Sequence, residues 1–171
     1  PEERRKLLQR LAAQWMANVV PNEPSIWNLA ISRHYAQSGS HIGQARHLLK
    51  AAEHSRKAFN NQFSVRLFEE AIPLMGPDQA EMKLEACAKL AWTHRMMGRG
   101  DSAALLYREC LRLARVLGDP REIARVTAQI GSLELEEGRY RTAKAALVQA
   151  LHTYQDERDQ AGMASVREDL G

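Results

Sequence analysis

The side chains best suited to metal binding or nucleophilic catalysis in this chain are six histidines and two cysteines. His47 and His54 lie on one predicted helix, two turns apart, which separates them by roughly 10 Å. A zinc ion binds nitrogen ligands at about 2 Å, so these two histidines cannot share one ion. Cys87 and Cys110 lie within apolar helical patterns, which is typical of buried thiols. We therefore predict no metal site, no cofactor and no catalytic residue.

Phosphate binding and acid–base catalysis are also disfavoured. The sequence contains no Gly-x-x-x-x-Gly-Lys-Ser/Thr motif. Gly98 and Gly100 instead lie at a predicted turn, where flexible backbone is needed. The carboxylates of Glu134, Glu136 and Glu137 crowd one helix end, which is typical of solvated charges with arginine partners nearby. The prediction is that the chain is not an enzyme, and that any catalytic domain would lie outside it.

The overall composition is that of a water-soluble helical protein. Apolar residues make up 44% and charged residues 26% of the chain, and the net charge is +3. Neither a secretion signal nor an apolar run of about 20 residues is visible, which predicts a cytoplasmic protein without a membrane span. The charges alternate in sign, so nucleic acid is disfavoured as a partner. Only Arg108, Arg112 and Arg115, spaced along one helix, favour such binding.

The helices that must carry these side chains are repeated. One constant shift along the chain places Ala91 on Gly131, Gly98 on Gly138, Ala103 on Ala143, Tyr107 on Leu147 and Cys110 on Ala150. A nearly equal shift in the other direction gives a weaker copy, in which Phe59 replaces the turn glycine. Small residues thus match small ones and large apolar residues match large ones, which indicates a repeat architecture.

Apolar spacing and turn residues predict about nine helices. Their predicted ranges are 2–20, 25–38, 41–59, 61–75, 78–97, 101–117, 120–137 and 140–156, with a further helix starting near 160. Gly118, Asp119 and Pro120 predict a helix end followed by a capped helix start. The segment 21–25 is predicted to be a turn in which Ser25 caps the next helix. The first helix carries an apolar stripe of Leu8, Leu11, Trp15 and Val19.

The spacing of Ala91, Gly98, Ala103, Tyr107 and Cys110 resembles the tetratricopeptide repeat, and so does the spacing in the next copy along the chain. The resemblance implies an all-α fold of antiparallel helix pairs, roughly four repeats, stacked into a right-handed superhelix. It also implies one domain spanning 1–171. Its parts are a divergent N-terminal helix at 1–24, degenerate repeats at 25–75, well-matched repeats at 78–117 and 120–156, and the start of a further helix at 160–171.

The repeat period, about 40 residues, is longer than that of the usual tetratricopeptide repeat. It is similar to that of the repeats that follow the ATPase core in bacterial signalling ATPases, including adenylate-cyclase-linked and LuxR-type regulators. This resemblance implies a non-catalytic protein-interaction scaffold, acting as a sensor or regulatory arm of a longer signalling protein. The first alternative is a structural segment that forms homodimers through its end helices, where Met163 and Val166 would lie exposed. A nucleic-acid-binding solenoid is the second alternative.

The resemblance places a partner-binding groove on the first helix of each pair. In its register the predicted groove residues are Arg46, Leu49, Glu53, Arg56, Glu85, Trp92, Arg95, Arg125 and Ser132. Four arginines and one tryptophan predict a protein or peptide partner with acidic groups and an apolar anchor. The alternative is that Trp92 packs between helices while the arginines pair with Glu53 and Glu85.

Overall fold

The computed structural model describes residues 1–19 and 25–171, and these residues form nine α-helices. They are α1 (Glu2–Val19), α2 (Ser25–Gln37), α3 (His41–Lys57), α4 (Asn61–Ala71), α5 (Ala80–Met96), α6 (Gly100–Leu117), α7 (Pro120–Glu136), α8 (Tyr140–Asp156) and α9 (Gln160–Leu170). The predicted turn at 21–24 and the capping role of the Ser25 side chain lie outside the described residues. None of the helices described is long and apolar enough to span a bilayer.

The described residues divide into two compact units, Pro1–Met82 and Lys83–Gly171. In unit 1, each helix packs on the next along the chain, from α1 through α2 and α3 to α4. Its core contains small alanines and larger apolar side chains, among them Ile31, Ala45, Leu48, Ala52, Val65 and Phe68. Alternation of small and large side chains lets neighbouring antiparallel helices approach closely.

Unit 2 repeats this arrangement with α6 on α7, α7 on α8 and α8 on α9. Tyr107 is buried with Ala91, Ala103 and Leu133. A Cβ atom at Gly131 would lie 2.7 Å from Cγ of Leu147, so the helix carrying Leu147 packs directly on the backbone of α7. This contact explains why a small residue recurs at the position that Ala91 and Gly131 share.

The segment between α4 and α5 differs from the predicted helix boundaries. Helix α4 ends at Ala71, and single 3₁₀ turns at Ile72–Leu74 and Pro77–Gln79 lead into α5. Pro73 carries no N–H group and therefore cannot continue the hydrogen bonding of an α-helix. The backbone N–H of Gly76 donates to Oε1 of Gln79 at 3.0 Å, which caps the second turn.

Helix α3 ends in an αL turn that is unusual for its residue type. Phe59 has a φ of 58°, where the better-matched repeats have Gly98 (70°) and Gly138 (73°). The N–H of Asn60 donates to the carbonyl oxygen of Ser55 at 2.9 Å, as in a Schellman motif. The turn is therefore the same as in the other repeats, but a residue with a Cβ atom has to adopt it.

Replacing Phe59 with glycine should raise the free energy of unfolding by about 1 kcal/mol, because glycine adopts positive φ without steric cost. The phenyl ring is 90% exposed, so its removal should cost little packing. Urea denaturation followed by circular dichroism measures the change. Phe59→Ala is the matched control, since it removes the ring but keeps the Cβ atom. An equal gain in both variants would contradict this explanation.

The C-terminal helix α9 differs from expectation. Met163 and Val166, expected to be exposed, are buried against α8 in a cluster with Leu147 and Tyr154. The prediction of apolar surface at these two residues was therefore wrong. The stripe on α1 lies on the outer face of that helix instead of facing α2, as described below.

Candidate partner-binding surfaces

The predicted groove residues lie on α3, α5 and α7, and we describe them separately for the two units. The α3 patch comprises Arg46, Leu49, Glu53 and Arg56 in unit 1. The α5–α7 patch comprises Glu85, Trp92 and Arg95 on α5, with Arg125 and Ser132 on α7, in unit 2.

Arg95 is the most constrained residue of the α5–α7 patch. Its Nε and Nη2 atoms donate to the two carboxylate oxygens of Glu136 at 2.8 and 2.7 Å, which links α5 to α7. The Arg95 side chain is only 17% exposed, and its contact with Glu136 raises the pKa of the guanidinium. Arg95 also contacts the hydroxyl of Tyr107, which itself donates to Oε1 of Gln129 at 3.1 Å. The guanidinium is thus held in one orientation before any partner binds.

Arg125 is held in a similar way within α7. Its Nε and Nη2 atoms donate to the carboxylate of Glu122, the shortest distance being 2.6 Å. This hydrogen bonding raises the pKa of Arg125. Glu85 lies near Lys89 at 2.7 Å and is exposed. The carboxylate predicted to pair with a groove arginine therefore pairs with a lysine one turn away on α5.

Trp92 and Ser132 complete the α5–α7 patch. Trp92 is 37% exposed and precedes Arg95 by about one helical turn, so the two lie on the same face of α5. Ser132 is buried, and its hydroxyl lies within hydrogen-bonding distance of the Ala128 carbonyl oxygen (3.1 Å) and of the Asp169 carboxylate. Ser132 therefore joins α7 to α9, whereas the Trp92 side chain keeps an accessible surface.

The α3 patch contains one internal ion pair. Nε and Nη2 of Arg56 donate to the Glu53 carboxylate at 2.9 and 2.8 Å, as the alternative interpretation predicted for Glu53. Leu49 is half-buried and Arg46 is exposed. Within the described part of the chain, no ion pair involves Arg46.

Glu136, the carboxylate that holds Arg95 from α7, was not among the predicted site residues. Glu136 was expected to pair with an arginine about one turn away, but it pairs with Arg95, 41 residues away. Arg139 instead pairs with Glu134 and Glu137. No local spacing rule links Arg95 to Glu136, since their contact depends on how α7 packs beside α5.

His47 and His34 each contact side chains of other helices. His47 is buried, donates from Nδ1 to Oδ1 of Asn28 at 3.0 Å, and stacks on Tyr35. Nδ1 of His34 lies 2.5 Å from Oε1 of Gln9. Among the described residues, no three His, Cys, Asp or Glu side chains cluster in a way that could hold a metal ion.

Cys87 on α5 and Cys110 on α6 are neighbours in the core of unit 2, and both are buried as their apolar helical patterns predicted. Both are free thiols, and each lies close to the other. The Cys110 thiol also lies 3.8 Å from the carbonyl oxygen of Leu84. The contact with Cys87, together with burial, raises the pKa of Cys110. A protonated, buried thiol is a packing group and a poor nucleophile.

The three arginines on α6 lie on its outer face. Arg108, Arg112 and Arg115 line an open groove of about 440 Å³ with Leu111 and Val116. Nε and Nη2 of Arg112 each donate to the Glu109 carboxylate at 2.7 Å, so part of this positive charge is neutralised. Leu111 and Val116 make part of the lining apolar, and Arg112 is paired, so the net positive charge of this groove is smaller than its three arginines alone would give.

Comparison with solved structures places this geometry among known folds. The apo form of RapI superposes with a TM-score of 0.74 at 14% sequence identity, over 85% of this chain and 43% of that one. BtubC (BKLC) from P. vanneervenii gives 0.64 at 17% identity, over 99% and 64% of the two chains. MamA gives 0.58 at 16% identity, over 87% and 88%. These neighbours are tetratricopeptide-repeat proteins.

The fold is of the tetratricopeptide type. This chain spans less than half of the RapI chain and about two thirds of BtubC. No protein-family model and no curated protein matches the sequence. The sequence identities to these neighbours, 14–17%, are low enough that the neighbours indicate the fold alone.

Proposed function

We propose that this chain is a scaffold that binds a protein or peptide segment through the α5–α7 patch. The proposal rests on one observation: a cation held in a fixed orientation lies beside an accessible aromatic side chain. Arg95 is held by Glu136, and Trp92 remains 37% exposed one helical turn away. A rigid cation beside an apolar anchor loses little conformational entropy when a partner binds.

The chemistry of the patch favours a partner segment with an acidic group near an apolar side chain. The bonds to Glu136 and the contact with Tyr107 engage only part of the five N–H donors of the Arg95 guanidinium, so further donors remain for a carboxylate. The indole ring of Trp92 offers a flat contact for an apolar side chain. Because Glu136 neutralises part of the charge, Trp92 should contribute more of the affinity than Arg95.

Selection of peptides from a random displayed library, followed by calorimetry, tests this proposal. We expect the selected peptides to be acidic with a large apolar residue, and Trp92→Ala to weaken their binding at least tenfold. Affinity should fall moderately with added salt, since Arg95 and Arg125 remain partly exposed to solvent.

The matched control is Trp27→Ala, which removes a tryptophan of similar exposure from α2 in unit 1. Its effect should stay within twofold. Selected peptides without acidic residues, or equal losses for Trp27→Ala and Trp92→Ala, would contradict the assignment of the site to the α5–α7 patch. Circular dichroism of each variant confirms that it is folded.

The same proposal extends to a role as the sensor arm of a cytoplasmic signalling protein. Its support is the resemblance of the long repeat period to the repeats of bacterial signalling ATPases. In such an arm, a bound peptide acts by favouring one arrangement of the helix pairs over another. We expect bound peptide to slow backbone hydrogen exchange in α5 and α7. If the peptide also changes how the helix pairs are arranged, exchange should slow in α8 and α9 as well. Protection confined to the contact residues would argue for a passive scaffold.

A further inference from the structure

Helix α1 presents two different apolar faces. One face carries Ala13, which is fully buried, with Met16 and Ala17 partly buried beside it against α2. The opposite face carries large apolar side chains that are between 51% and 65% exposed, namely Leu7, Leu8, Leu11, Trp15 and Val19. At about 3.6 residues per turn these side chains form one continuous stripe, which we call the α1 stripe.

An uncovered stripe of this kind is unusual on a soluble protein. Monomeric proteins rarely expose contiguous apolar patches of more than a few hundred Å², and larger ones mark interaction sites. From the areas typical of aliphatic and aromatic side chains, the α1 stripe exposes roughly 400 Å² of apolar surface. Two such stripes with their flanking side chains would bury about 1,000 Å² in total, which is enough for a weak dimer.

The charges of α1 determine how a second copy could approach it. Lys6 pairs with Glu2 at 3.0 Å and with Glu3 at 3.4 Å, and the N-terminal half of the helix also contains Arg4, Arg5 and Arg10. The last turn of α1, which lies within the described residues, contains no basic residue. A parallel pair of α1 helices would therefore bring two arginine clusters together. An antiparallel pair would place each cluster beside the negative dipole end of the other helix.

We propose that the α1 stripe is a homodimerisation surface, on which a second copy of this chain packs its own α1 in the antiparallel direction. A two-fold axis near the middle of the stripe brings Leu11 against the partner's Trp15 and Leu7 against the partner's Val19. Each contact then occurs twice, as a two-fold interface requires. The α5–α7 patch contributes no residue to this interface, so the dimer and the peptide-binding proposal can be tested independently.

Sedimentation velocity across a concentration series of about 1–200 μM tests the dimer. We expect the mass to rise from 19.3 kDa towards twice that value, with a micromolar dissociation constant. Leu11→Glu should weaken the dimer at least tenfold, because it introduces a charge into the centre of the stripe. Leu105→Glu is the matched control: Leu105 is an exposed leucine on α6, and this variant should dimerise like the unmodified chain. A chain that stays monomeric, or equal weakening by both substitutions, overturns the proposal.

Cysteine cross-linking tests the direction of packing. Leu7→Cys and Val19→Cys chains should form an intermolecular disulfide when mixed, and neither should do so alone. Cys87 and Cys110 are buried and should not interfere. Cross-linking of Leu7→Cys with itself would indicate a parallel pair, and no cross-link in the mixture would place the second copy elsewhere. Either result overturns the antiparallel arrangement.

Discussion

The substitution Tyr107→Ala is expected to lower the free energy of unfolding of unit 2 by about 3–5 kcal/mol. Tyr107 is fully buried in a cluster with Ala91, Ala103 and Leu133, contributed by α5, α6 and α7. Removing the ring leaves a cavity between three helices that the alanines cannot fill. The loss is increased because Gln129 and Arg95 lose their contacts with the Tyr107 hydroxyl.

Urea denaturation followed by circular dichroism measures this loss, and two further variants separate its causes. Tyr107→Phe keeps the packing and removes only the hydroxyl, so it should cost about 1 kcal/mol. Tyr140→Ala removes an exposed tyrosine at the start of α8 and should change stability by less than about 0.5 kcal/mol. If Tyr107→Ala cost no more than Tyr140→Ala, the packing of α5, α6 and α7 described above would be wrong.

The second large effect is a loss of stability in acid that depends on His47. Burial, followed by the nearby positive charges of Lys50 and Arg46, lowers the pKa of His47 from 6.5 to about 4. Between these two values the unfolded chain binds a proton that the folded chain does not. The free energy of unfolding therefore falls as the pH is lowered from about 6.5 to about 4, by about 3 kcal/mol in total.

Urea denaturation at several pH values between 7 and 4 measures this effect by comparison of three proteins. His47→Gln keeps a polar side chain near Asn28 but cannot titrate, so its stability should fall less steeply in this range. His152→Gln removes an exposed histidine on α8 and should follow the unmodified chain. Carboxylates titrate in all three proteins, so their contribution cancels in the comparison. Parallel pH profiles for all three would show that His47 is not buried in a neutral form.

Much of the local structure could be predicted from sequence because its causes are local. Gly118 adopts a φ of 67°, and the Asp119 carboxylate accepts the N–H of Arg121 at 2.9 Å, as the residue types predicted. The predicted helices agree with those of the structure to within about two residues, except around Pro73. Caps, turns and apolar spacing act over short stretches of chain, and their recurrence from one repeat to the next reinforced each of these signals.

The fold type could also be predicted because it follows from the repeated alternation of small and large residues. Gly131 on α7 packs against Leu147 on α8, and Tyr107 on α6 shares a cluster with Ala91 on α5 and Leu133 on α7. A small side chain opposite a large one lets neighbouring antiparallel helices pack closely. Predicting the site residues, by contrast, requires knowing which face of each helix stays accessible, and the sequence pattern alone does not give this.

Only the tertiary structure determined the ion-pair partner of Arg95 and the face of α1 that is buried, because local sequence rules allow more than one answer for each. Arg95 could have paired with a neighbour on α5, but the packing of α7 brings Glu136 to it from 41 residues away. Helix α1 could have buried either its alanine face or its leucine face, since both are apolar. Close packing on α2 favours the small side chains around Ala13, and the large side chains of the α1 stripe therefore face outward.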